Sequence, residues 1–171
     1  MKPFPTRVGD LAETDLPAIE ARLEAGERFV LQYGSPSYTP SALAAIDSLC
    51  ARFKDALEVR FFRHHESGFD ATVLRMLPRV VHLTLDCMGE AAHLDVLQEL
   101  HQLRHLVLSI ERLEDLQVLR HPNLRDLRSL SLACDRSKLD LSHLEAYRTL
   151  ESLNVSGHTR AIQAISTLDS L

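Results

Sequence analysis

Leu103-Arg104-His105-Leu106-Val107-Leu108 carries the pattern from which the architecture follows. Leu106 and Leu108 alternate with residues of the opposite parity, the period of a strand with one buried face. The same spacing, Leu-x-x-Leu-x-Leu with valine allowed, recurs three more times. The copies are Val80-Val81-His82-Leu83-Thr84-Leu85, Leu127-Arg128-Ser129-Leu130-Ser131-Leu132 and Leu150-Glu151-Ser152-Leu153-Asn154-Val155. Their central leucines, at 83, 106, 130 and 153, lie 23, 24 and 23 residues apart. A weaker copy precedes them at Ala56, Val59 and Phe61, and a still weaker one at Leu31 and Tyr33.

Between the motifs, apolar residues recur at helical spacing: Leu94, Leu97 and Leu100; Leu113, Leu116 and Leu119; Leu141 and Leu144; Ile162, Ile165 and Leu168. Each unit is then strand, turn, short helix and return. One such unit cannot cover its own apolar side, so units must stack, with a parallel sheet on one side and helices on the other. A helical bundle is the competing pattern, and the Leu-x-Leu alternation counts against it. Constant spacing over four copies resembles the leucine-rich-repeat family, in an irregular, bacterial-like form with repeats of 23–24 residues. The resemblance implies an α/β solenoid with a parallel concave β-sheet and short helices on the convex side. The family places Asn or Cys three residues beyond the last leucine of the short motif. Here those positions hold Met88, Glu111, Asp135 and His158, so the turn after each strand is expected to be irregular.

Residues 1–55 are not a clean repeat. Asp15-Leu16-Pro17 opens a helix over about 15–25, with Gly26 as its stop. Phe29, Leu31 and Tyr33 alternate as a strand. Thr39-Pro40 opens a second helix that gathers Leu43, Ile46, Leu49, Cys50 and Phe53 on one face. The expected organisation is one domain: an N-terminal helical cap, 1–55, merging into leucine-rich repeats, 56–171. At the other end, Leu168-Asp169-Ser170-Leu171 repeats the spacing that opens each motif, with no polar closing segment after it. The expectation is a chain truncated from a longer protein, or a repeat edge through which the chain self-associates.

The chain has 171 residues, 31 of them leucine, and a net charge of −5. That length suits a single core. Mild acidity argues against nucleic acid or an anionic membrane as partner. No apolar run is long enough to span a bilayer, and Met1-Lys2-Pro3-Phe4-Pro5 leads to Asp10, Glu13 and Asp15 without a signal-peptide core. A cytoplasmic location is expected, with Cys50, Cys87 and Cys134 as reduced, buried thiols.

Residues on the leucine parity point inward, including Cys87 and Cys134. The opposite parity forms three rows: Glu58, His82, His105, Ser129, Ser152; Arg60, Thr84, Val107, Ser131, Asn154; and Phe62, Asp86, Ser109, Ala133, Ser156. Solenoids commonly bind partners on this surface. The candidate partner-binding residues are therefore Glu58, Arg60, Phe62, His82, Thr84, Asp86, His105 and Val107. No catalytic residue, metal or cofactor is assigned. Glu58, His82, His105 and Ser129 only superficially suggest a hydrolase triad, because a flat row lacks a nucleophile turn and an oxyanion hole. His64-His65-Glu66, placed in a loop, is a poor chelate.

The function expected from the resemblance is non-enzymatic: a protein–protein interaction module binding a partner protein through the concave face. A bacterial regulator or an immunity-type inhibitor of a basic toxin would fit. Two alternatives stand beside it: an accessory repeat region of a larger enzyme or signalling protein, and a metal-dependent enzyme at His82 and His105, with Glu58 as the carboxylate.

Overall fold

The computed structural model describes residues 6–9, 15–34, 38–64, 68–113 and 117–168; the side chains at 87, 88, 137 and 167 lie outside that description. The chain is α/β, built on a parallel sheet. Its strands are β1 (Thr6–Gly9), β2 (Phe29–Tyr33), β3 (Leu57–Phe62), β4 (Phe69–Asp70), β5 (His82–Ala92), β6 (His105–Arg112), β7 (Ser129–Asp140) and β8 (Ser152–Arg160). Among the described residues the order is β1-β2-β3-β5-β6-β7-β8, every pairing parallel, with β4 paired to the far end of β5.

Among the described residues two α-helices occur near the N-terminus, α1 (Leu16–Glu24) and α2 (Pro40–Phe53). In α1 the buried residues Leu16, Ile19 and Leu23 fall on one helical stripe. Gly26 ends it at φ +88: its N–H donates to the Leu23 carbonyl and that of Glu27 to Arg22, a Schellman closure that needs a left-handed residue. The Thr39 hydroxyl caps α2 by accepting from the Ala42 N–H at 3.2 Å. Leu43, Ile46, Leu49 and Cys50 are buried as the spacing predicts, and Phe53 is half-buried. Residues 6–33 thus place β1 and β2 on the same sheet as the repeated strands, in register with β3.

The returns between later strands are 3₁₀ helices, at Ala71–Met76, Leu94–Glu99, Gln117–Arg120, Pro122–Asp126, Leu141–Ala146 and Ile162–Thr167. The sequence already carries the reason. Leu94, Leu97 and Leu100, or Leu141 and Leu144, are spaced by three, and three residues make one 3₁₀ turn, so they eclipse on one face. Leu97, Leu100, Leu141 and Leu144 are buried there. Leu116 lies outside the described residues. Asp70 and Asp140 open two returns by accepting from the N–H groups of Thr72 and Ser142, at 2.9 and 3.0 Å. Those donors hold both carboxyls below their usual range.

The leucine ladder faces inward. Val59, Leu83, Leu106 and Leu130 pair in register and are buried, as are Phe61, Leu85, Leu108 and Leu132 beside them. On the edge strand β8 the equivalents Leu153 and Val155 are half-buried, and Ile162 beyond them is 65% exposed. Beyond the ladder the register shifts in two pairings, β5 with β6 between Cys87 and Glu90 and β7 with β8 between Cys134 and Leu139, where the irregular turn is expected. The buried Cys134 thiol donates to the Glu111 carbonyl of the preceding unit at 3.4 Å. Cys50 and Cys134 are buried, and burial pushes the Cys50 thiol up to about 12. The Cys87 side chain lies outside the described residues.

Asp47 and Tyr147 are polar groups held inside the fold by hydrogen bonds. The Asp47 carboxylate, 5% exposed, accepts from the Arg79 backbone N–H at 2.8 Å and from its Nε at 2.7 Å, locking α2 to the segment that leads into β5. Tyr147 donates its hydroxyl to the Leu119 carbonyl at 3.0 Å, and burial pushes its phenol upward. His64 lies in the expected loop after β3, but its side chain is not solvated. It is buried among Tyr38, Phe61 and Phe69, edge-on to Phe69 at 5.2 Å, and burial pushes its imidazole downward. His65 and Glu66 lie outside the described residues.

Candidate functional site

The three rows inferred from parity lie side by side in the sheet. Glu58, His82, His105, Ser129 and Ser152 are register partners across β3, β5, β6, β7 and β8. So are Arg60, Thr84, Val107, Ser131 and Asn154, and Phe62, Asp86, Ser109, Ala133 and Ser156. The rows extend two strands further than the five read from the sequence: Val30 continues the first row and Gln32 the second, with Arg7 and Gly9 beyond them on β1.

The N-terminal half of this open face is cross-linked by its own side chains. Arg60 donates Nη1 to Gln32 Oε1 at 2.8 Å, pairs through Nη2 with Asp86, and lies over the Phe62 ring at 4.8 Å. Arg63 covers the same ring at 5.6 Å. Arg7, Gln32, Arg60, Phe62, Arg63 and Asp86 line an open hollow of about 510 Å³ with three guanidinium groups and one carboxylate. Glu58 accepts from the Thr84 hydroxyl at 2.7 Å. Thr84 and His82 are consequently covered by their neighbours, while Glu58, Arg60, Phe62, Asp86, His105 and Val107 remain partly exposed. The C-terminal half carries small residues, and Asn154 Nδ2 donates to Ser131 Oγ at 3.2 Å.

His82 and His105 stack, ring centroids 3.9 Å apart and planes 14° from parallel. The carboxylate that meets them is Asp55, in the 3₁₀ turn Lys54–Ala56, rather than the Glu58 suggested by the row: Asp55 Oδ1 lies 3.2 Å from His82 Nε2. Burial, with His105 adding to it, pushes His82 down to about 4, and burial also lowers His105. The His82 imidazole is therefore neutral at pH 7. Asp55 and His105 line a second open hollow of about 510 Å³, together with Lys54, Arg104 and Arg128.

Sequence reasoning missed Asp55, Gln32, Arg7 and Arg63. Gln32 could have been found by carrying the parity of Phe29, Leu31 and Tyr33 onto the same rows. The others sit in a turn, on a short unrepeated strand and just beyond a strand end, where no parity rule applies. No helix among the described residues is long and apolar enough to cross a membrane. No protein-family model matches the chain, and the comparison with curated proteins returns no match.

Proposed function

We propose that the chain is a non-enzymatic leucine-rich-repeat protein that binds another protein through the open face of its sheet. The supporting observation is the continuity of the three rows, in register from β3 to β8, with different chemistry at the two ends. The N-terminal hollow presents Arg7, Arg60 and Arg63 around Phe62, suited to an acidic side chain of the partner stacked on apolar surface. The serine-rich C-terminal half lets a partner backbone approach closely. In the row that mimics a triad, Glu58 is engaged by Thr84 and His82 is covered, which favours recognition over catalysis. Residues 1–55 act in this reading as the first, atypical units of the array. The buried thiols Cys50 and Cys134 suit a reducing cytoplasmic setting.

The test is capture from a native lysate with three baits: wild type, a Phe62→Ala/Val107→Arg variant on the open face, and Arg75→Ala on the return side. Arg75 is exposed and pairs across the surface with Glu99. The expected result is a protein retained by wild type and Arg75→Ala, and bound at least about tenfold more weakly by the open-face variant, a loss of ~1.4 kcal/mol or more. Equal capture by all three baits, or loss confined to Arg75→Ala, would place recognition elsewhere.

A further inference from the structure

We propose that Asp55, His82 and His105 form a binding site for one divalent transition-metal ion of the zinc class. Each offers one ligand atom, and these atoms all lie within 4.8 Å of one another; among the described residues no other group of three His, Cys, Asp or Glu side chains converges in this way. The backbone prepares the arrangement. His82 and His105 are register partners that open neighbouring parallel strands, so their rings project from the same edge of the sheet, and the turn before β3 brings Asp55 against them.

A tetrahedral ion about 2.0–2.2 Å from nitrogen and oxygen donors sets those donors about 3.3–3.5 Å apart. His82 Nε2 and Asp55 Oδ1 are already 3.2 Å apart. The longest separation in the group, at most 4.8 Å, has to close by no more than about 1.4 Å to reach that geometry. The side chains that must move can do so: Asp55 is 80% exposed and His105 half-buried. The stacked rings have to tilt so that their lone pairs converge. His105 Nδ1 is shielded from solvent with no hydrogen-bond partner, an unsatisfied state that reorientation around an ion relieves.

Two imidazoles and one carboxylate select zinc, cobalt or iron(II) over calcium and magnesium, which take oxygen ligands. Three protein ligands leave a fourth position, and the hollow beside Asp55 and His105 is lined by Lys54, Arg104 and Arg128. That cationic rim favours an ion whose fourth donor is an anion, a carboxylate or a phosphate oxygen.

The test uses the full chain, stripped with chelator and dialysed. Zn(II) uptake is measured by equilibrium dialysis with metal analysis, and Co(II) uptake by its visible absorption, each with and without phosphate. The expected result is one equivalent bound, with tetrahedral cobalt absorption. Asp55→Ala, an exposed substitution that leaves the core intact, and His105→Ala should each weaken binding at least about tenfold. His158→Ala, at an exposed histidine on β8, should bind as wild type. Absence of stoichiometric uptake, unchanged affinity in both site variants, or binding of phosphate alone without metal would each overturn the proposal.

Discussion

Leu130→Ala is expected to destabilise the protein by about 2–5 kcal/mol, whereas Val107→Ala should cost less than about 1 kcal/mol. Leu130 is 1% exposed and lies between Leu106 and Leu153 of the adjoining strands. Truncating it removes buried apolar surface and leaves a cavity that two hydrogen-bonded neighbours cannot collapse into. Val107 is one residue removed from Leu106 and Leu108, yet it stands half-buried on the opposite face, where solvent or a repositioned neighbour fills the gap. Denaturant melts with unchanged m-values measure both. A ranking in which Val107→Ala is the more harmful would reverse the inward and outward faces and remove the basis for the proposed binding rows.

Gly157→Ala is expected to cost about 2–4 kcal/mol, from positive-φ strain joined to a direct clash. Gly157 has φ +114, and a Cβ there would meet the Cys134 carbonyl oxygen at 2.1 Å. The carbonyl belongs to its register partner on β7, so the added methyl pushes the two strands apart at the turn. Gly26, at φ +88 with open space for 4 Å around the place a Cβ would take, is the matched control: Gly26→Ala carries strain without collision and should cost about 1 kcal/mol. Thermal melts and amide exchange on β8 distinguish the two. Wild-type stability of Gly157→Ala would mean that β7 and β8 do not approach each other this closely.

Gly157 also illustrates what was legible in the sequence. Counting parity from Leu153 and Val155 puts it in the same slot as Cys134, and the structure pairs them. Parity carried the rest of the open face as well, since a one-residue slip would turn the ladder leucines to the open face. The form of the returns was present but masked, because leucines spaced by three satisfy both an α-helical stripe and a 3₁₀ face. The far segments of β5, β7 and β8 were not legible. They follow a register shift, and pairs such as Leu139 with Thr159 and Asp140 with Arg160 carry no repeated apolar signal. Asp55 was invisible for a related reason: it belongs to a turn, where Lys54 takes φ 40 and the alternation from which Glu58 was assigned does not extend. His64 needed Tyr38 and Phe69, from two other elements, before its burial could be inferred.

Both the proposed binding face and the proposed metal site depend on the strands lying side by side in parallel with one parity outward, and side-chain nuclear Overhauser contacts measure this directly. The expected spectrum shows Val107 in contact with Thr84 and Ser131, its register partners, and Leu106 in contact with Leu83 and Leu130. Contacts from Val107 to residues three or four positions along its own chain, or between Leu106 and the Thr84–Ser131 row, would contradict the parallel, two-faced sheet.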